Sequence, residues 1–382
     1  MPSGYEPNPH GESILNYTLK DLQLVYRYLR ERRTSDQNQE KIYEKVYRDE
    51  IENQVAAGER NLGKPDLVLS IKKPISVRST GDLIYKYVML SEKFTEEKIV
   101  KAVVMDSPMT VVHHAHVIVM PNSFDEKQAV ALETGDASAA MVFKRIYGDS
   151  ISRKVKMTAN GKSIDGIRLD QPIAATFSRP NRFSILNGNE GVRIPKGSYL
   201  AVILHIESTG KEEVEQSKFS FYFAPNDQPR KLIDQFTFVP SALTIPSEKV
   251  VVVRSEAVID EHIQLERALV HMHYRGSAAR IFVQRSAADG KSLSSPVLVA
   301  DLPYHLFKMQ TFYRFKDLTL LPGSKIITEL VFDNTSANIA NPYPDRAVKI
   351  GKASLDDEMH FPRIYYSHIQ PQAQPRSEVR HD

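Results

Sequence analysis

From Leu62 onward the chain is broken into short runs rich in Val, Ile, Tyr and Phe, among them DLVLSIKKPISV, LIYKYVML, TVVHHAHVIVM, SYLAVILHIES, FSFYFAP, KVVVVRSEAV, ARIFVQR and KIITELVFDN. Gly, Pro, Asn and Asp separate these runs. Segments of that length closed by turn formers read as strands, and a long succession of them predicts an all-β chain of the sandwich or jelly-roll kind. At 382 residues there is chain enough for two cores. A border is expected within FTFVPSALTIPSEK, residues 236–249, where two prolines interrupt the apolar pattern. The reading is therefore of two jelly-roll-like β-sandwich domains in tandem, 62–240 and 241–368.

A different texture precedes them. In residues 13–33, Leu19, Leu22, Val25, Tyr26 and Leu29 form a stripe at helical spacing. Residues 34–61 are highly charged, with Ile42, Val46, Ile51 and Val55 at intervals of four or five. Residues 1–61 are thus expected to be a helical extension or linker, and residues 369–382 a disordered tail.

Composition closes off several classes. The chain has no cysteine, which excludes disulfides, thiolate metal sites, covalently attached haem and a cysteine nucleophile. A transition-metal site must come from His, Met and carboxylates, and thioether combined with imidazole favours copper. A net charge of +3, with 25% charged residues, gives no field of the kind nucleic-acid binding requires. No apolar run approaches the roughly 20 residues of a spanning helix. The opening MPSGYEPNPHGES lacks the pattern of an export signal.

The histidines carry the chemistry. In LVHMHYRG, Val270, Met272 and Tyr274 share one strand face, the expected core face, while His271 and His273 leave it together on the other. Two imidazoles at i and i+2 are close enough to chelate one metal ion, although a hydrogen-bonded pair on an open sheet face is an equally good reading. In VVHHAHVIV, alternation puts His114 and His116 on one face and His113 on the other, unless a bulge turns it round. His205 shares a face with Tyr199, Ala201 and Ile203, where a lone histidine is more often buried and hydrogen-bonded than a ligand.

Seven motifs in order resemble one family: GKPDLVL at 63–69, VVHH at 111–114, IPKGSYLAVILH at 194–205, HMHYRG at 271–276, LPGSKI at 321–326, FDNTSANIANPYPD at 332–345 and DEM at 357–359. Together they resemble the copper type II, ascorbate-dependent monooxygenases, the family of peptidylglycine alpha-hydroxylating and dopamine beta-monooxygenases, and its bacterial members above all. The resemblance implies two copper ions on two β-sandwich domains facing each other across a solvent-filled cleft. His113, His114 and His205 would hold the electron-transfer copper, with His116 as the alternative ligand that strand periodicity prefers to His113. His271, His273 and Met359 would form the catalytic site that meets dioxygen. Ascorbate or another donor would supply electrons, and the expected location is periplasmic or extracellular behind a trimmed signal peptide, with the cytoplasm left open.

The chain also departs from that family. The positions of its substrate-carboxylate anchors hold Leu269, Phe361 and Arg363, and a polar contact near the first site is replaced by Ile203. Peptide amidation is therefore not expected. The apolar replacements point to a small molecule or peptide less polar than a free carboxylate. Tryptophan, usual in the bacterial members, is absent. Two other readings compete: a non-catalytic copper-binding or protein-interaction module, with a partner protein engaged through the N-terminal helical segment, and hydrolysis at a zinc ion held by His113, His114 and His205.

Overall fold

The computed structural model describes residues 62–80, 84–107, 111–121, 151–170, 172–178, 183–186, 188–206, 208–225, 230–287, 292–302, 312–338, 340–351 and 356–369. Every named element in them is a strand, as the run-and-turn texture predicted. Among these residues no helix is long and apolar enough to cross a membrane. The helical extension expected over 1–61 and the tail expected beyond 369 lie outside the described residues.

Three ladders organise the strands. The largest runs from Leu67–Ser70 through Lys218–Phe223, Lys98–Asp106, Glu190–Ile194, Lys231–Pro240, Phe361–His368 and Ile263–His271 to Phe312–Leu320, with further strands paired alongside. A four-stranded sheet has the order Ile173–Ser178, Val112–Met120, Tyr199–Ile206 and Ile84–Met89. A third sheet runs Val297–Leu302, Gly276–Gln284, Lys325–Asp333, Val250–Val258, Lys156–Ala159 and Lys162–Ile164.

Burial follows from how these sheets stack. Along Val250–Val258 burial alternates residue by residue, the signature of a sheet with one covered face. Tyr199–Ile206 is buried at nearly every position, so the four-stranded sheet is covered on both faces. On one face Val117, Val119, Val202 and Leu204 pack against Val103, Met105, Phe219 and Phe221. On the other, Tyr87, Ile118, Met120, Ala201 and Ile203 meet Leu169 and Val239. A separate core joins Phe236, Phe238, Leu265 and Ile364 to Ile281, Val283 and Ile326 of the third sheet. The four-stranded sheet is therefore held between two stretches of the largest ladder.

Strands cross the border expected at 240. Lys231–Pro240 lies parallel to Glu190–Ile194 and antiparallel to both Gly166–Asp170 and Phe361–His368. The hairpin of Lys156–Ala159 and Lys162–Ile164 adds to the third sheet through Val250–Val258. Its two-residue turn is Asn160-Gly161, at φ 46° and 78°. Both angles are positive, as a type I′ turn demands, and Asn-Gly is the pair that takes it at least cost.

One buried side chain locks the loop beyond the third sheet. Asn334 donates from Nδ2 to the carbonyls of Pro246 at 3.0 Å and Arg346 at 2.9 Å, while its Oδ1 accepts from Asn341 Nδ2 at 2.9 Å. Asn334→Ala removes the partner of several buried polar groups at once, and a loss of about 2–4 kcal/mol is expected on denaturant unfolding. A loss below about 1 kcal/mol would mean that water replaces the amide.

Candidate functional site

The site begins with two neighbouring strands of the four-stranded sheet. Val112–Met120 and Tyr199–Ile206 pair so that His114 stands directly opposite His205, and the next row on that face is Thr176, His116, Ile203 and Tyr87. The register then slips: Ile206 pairs with Val112, which makes His113 the extra residue of a β-bulge. This is the local irregularity under which simple alternation stops predicting where His113 faces. The His113 side chain lies outside the described part of the structure.

The opposing layer comes from Ile263–His271 and Phe361–His368. Val270 and Met272 enter the core with Leu330 and Phe332, as the expected core face. His271 and His273 do leave that face, but they do not reach solvent. The exposures of His114, His205, His271 and His273 are 3%, 5%, 3% and 1%. The reading of an open, solvated histidine face is thereby corrected: the four-stranded sheet covers it, a non-local contact that strand periodicity does not encode.

The two histidine sets touch. His114 Nδ1 lies 3.2 Å from His205 Nδ1, with the rings stacked at a centroid distance of 5.5 Å. The His271 ring meets His114 edge-on at 4.9 Å, and His273 meets His271 at 5.3 Å. The result is one continuous run, His205, His114, His271 and His273, built from both halves of the chain. Where the resemblance implies a solvent-filled cleft, these described side chains are in direct ring contact.

Burial governs the protonation of the run. It holds His205 well below the ordinary histidine range, with His273 and His116 adding smaller contributions, and it depresses His273 to about 4. His205 and His273 are therefore neutral at pH 7, the form in which histidine binds metal ions. His273 Nδ1 lies 3.1 Å from the carbonyl of Asp357. A carbonyl only accepts, so Nδ1 carries the proton and the ring's lone pair is on Nε2.

His116 is engaged differently. Its Nδ1 is 3.2 Å from Thr176 Oγ1, and that oxygen accepts from Arg363 Nη1 at 2.9 Å. Thr176 Oγ1 thus links His116 Nδ1 to the Arg363 guanidinium. Burial, followed by the Arg363 charge, holds His116 well below the usual range. Arg363 is 1% exposed and is the direct cross-strand neighbour of Leu269. Its other contacts are the Tyr365 hydroxyl at 3.3 Å and the Phe361 ring at 4.8 Å. Its charge is thus met by hydroxyls and an aromatic face; no carboxylate pairs with it among the described residues.

Met359 is half-buried. The ladder ends with His271 opposite Phe361, two residues before His273 on one strand and two after Met359 on the other. The preceding Glu358 is fully buried and accepts from the backbone N–H groups of His273, Arg275 and Met359. Burial pushes its carboxyl up to about 7 against the pull of those bonds and of Arg275. The turn after His273 closes with Gly276 N donating to His273 O at 3.2 Å. A side chain at Gly276 would put its Cβ 2.5 Å from the Met272 Cβ, so only glycine fits there.

Sequence reasoning brought out the histidines but missed Thr176, Arg363 as a buried cation, and the carboxylate of Glu358. Only Glu358 carried a signal, an acidic residue inside a motif beside a candidate ligand. The described side chains can offer a metal His114 with His205, and His271 with His273. Among the described residues no group of three His, Asp or Glu side chains has the spacing of a metal site.

No family model matches the chain, and no curated protein does. Among solved structures, infectious bursal virus derived T=1 particles align at 7% identity over 80% of this chain and 75% of that one, with a TM-score of 0.18. The infectious bursal disease virus Gt strain aligns at 10% identity over 80% and 77%, with a TM-score of 0.17. The N-terminal CBM22-1-CBM22-2 tandem domain from Paenibacillus barcinonensis aligns at 9% identity over 80% and 98%, with a TM-score of 0.15. Likenesses this slight carry no argument, so what the site can do rests on its own residues.

Proposed function

We propose that the chain is a copper-dependent monooxygenase that hydroxylates a C–H bond with dioxygen and an external reductant such as ascorbate. The observation that carries this reading is the buried run of imidazoles, in which residues from motifs more than 60 positions apart come into contact. The donor chemistry suits the metal. Two nitrogens on one tetrahedral ion at about 2.0 Å stand roughly 3.3 Å apart, and His114 and His205 present theirs at 3.2 Å. His113, whose backbone forms the adjoining bulge, would complete that set. His271, His273 and Met359 would form the other, a thioether favouring the reduced ion. Bound copper would supply one-electron transfer and dioxygen activation.

The chain's own residues supply the surroundings. Burial between two sheets excludes water and keeps the His205 and His273 rings deprotonated. The Asp357 carbonyl directs His273, and Thr176 Oγ1 holds His116 through Nδ1. Arg363 places a buried cation beside the run, so the substrate is expected to carry an anionic or strongly accepting group. This revises the less polar ligand expected from Leu269, Ile203 and Phe361.

A specific observation favours a second reading, a non-catalytic copper-binding module: ring contact between His114 and His271 leaves no room for a substrate between them. Metal analysis of wild type, His205→Ala and Met359→Ala separates the two readings from none. Two copper ions per chain, one lost in each variant, are expected, followed by ascorbate-dependent oxygen uptake by the loaded protein. Copper without uptake would leave the binding module, and no copper would sink both.

A further inference from the structure

We propose that Glu358 is a positioning residue: its buried carboxylate holds the backbone around His273 and Met359 so that His273 presents Nε2 to a metal ion. This rests on the reading of His271, His273 and Met359 as copper ligands. The carboxylate makes three bonds to main-chain donors on two separate segments. Oε1 accepts from His273 and, at 2.9 Å, from Met359; Oε2 accepts from Arg275 at 2.9 Å. Both carboxyl oxygens accept, so one side chain meets all three main-chain donors. Glu358 is itself anchored from behind, its N–H donating to Lys349 O at 2.8 Å and its carbonyl accepting from Gly351 at 3.0 Å.

The arrangement fixes a ring as well as a backbone. Asp357 immediately precedes Glu358, and its carbonyl takes the Nδ1 proton of His273 at 3.1 Å. Adjacent residues therefore grip His273 at two points, the main-chain amide and the imidazole. Holding both sets the tautomer and the direction of the ring, while the Glu358 bond to the Met359 amide places that residue in the same unit. Outer partners that orient a ligating imidazole typically change metal affinity 10–100-fold when removed.

The test compares wild type with Glu358→Gln, whose amide sets an N–H against one of the three main-chain donors. Ring 15N NMR of metal-free protein reads the His273 tautomer, and Cu(I) titration reads affinity at each site. The expected result is an Nδ1–H tautomer in wild type and a tautomer mixture in the variant. Cu(I) affinity at His271, His273 and Met359 should fall about 10–100-fold, while the His114 and His205 site keeps its own. An Nε2–H tautomer in wild type, an unchanged tautomer and affinity in the variant, or equal weakening of both sites with a lower Tm would overturn the assignment. Should the glutamine variant fail to fold, Glu358→Asp, one methylene too short to span all three amides, gives the same readout. A wild type that takes up no Cu(I) overturns the copper reading itself, whereas normal uptake with an unaffected variant overturns only the role of Glu358.

Discussion

Glu190→Ala is expected to destabilise the protein by about 3–5 kcal/mol, a cost set by the cation left behind. Glu190 Oε2 accepts from Arg267 Nη1 at 2.8 Å, and both side chains are only 8% exposed. The pair ties Glu190–Ile194 to Ile263–His271, strands separated in the largest ladder by Lys231–Pro240 and Phe361–His368. Its guanidinium also lies over the Tyr365 ring at 4.9 Å, which holds the charge in place but cannot neutralise it. Desolvating two ions offsets most of their attraction, so the intact pair contributes little net stability, while breaking it strands a buried charge. The double variant Glu190→Met with Arg267→Met should therefore be much closer to wild type than Glu190→Ala alone. Denaturant unfolding of the two single variants and the double variant measures this coupling. Additive losses would show that the two side chains act independently.

Metal-free protein is expected to lose stability steadily as pH falls from 7.5 to 5. Burial depresses His273 and His360 to about 4 in the folded state, against about 6.5 unfolded. Below pH 6.5 the unfolded chain binds protons that the folded chain refuses, so stability falls with pH until the folded value is reached. At pH 5 each of these two histidines costs about 2 kcal/mol relative to neutral pH. His116 and His205, depressed for the same reason, add losses of the same sign. Glu358 acts in the opposite sense. Its folded value of about 7 lies above the unfolded carboxylate, so acidification returns about 2 kcal/mol. The histidines outweigh it, and the net loss of more than about 2 kcal/mol should lower Tm by at least 2 °C or so. Thermal unfolding from pH 7.5 to 5.0 checks this, and a flat or rising Tm would show that the imidazoles are hydrated and not buried.

Much of this protein was legible in its sequence because strand periodicity and turn chemistry are local. Alternation in LVHMHYRG put Val270 and Met272 in the core and both histidines on the opposite face, and that is how they stand. The same rule paired His114 with His116 on one face and set His205 with Ile203, and the ladder has both. Absence of cysteine confined any metal site to His, Met and carboxylate before a single contact was known.

What covers those faces was decided only in the folded chain, because it depends on which sheets meet. A face carrying two histidines reads as polar, yet here it is buried against a second sheet that brings His114 to His271. The slip at His113 is likewise a property of two paired strands, not of either alone. Arg363 looks like an unremarkable substitution in the sequence; the fold sets it across from Leu269 and against Thr176, nearly 190 positions earlier in the chain. Local patterning was enough to read the strands, their faces and the kinds of donor atom. Tertiary packing alone decided that those donors share one buried seam, since burial and ring contact arise from residues that only long-range strand pairing brings together.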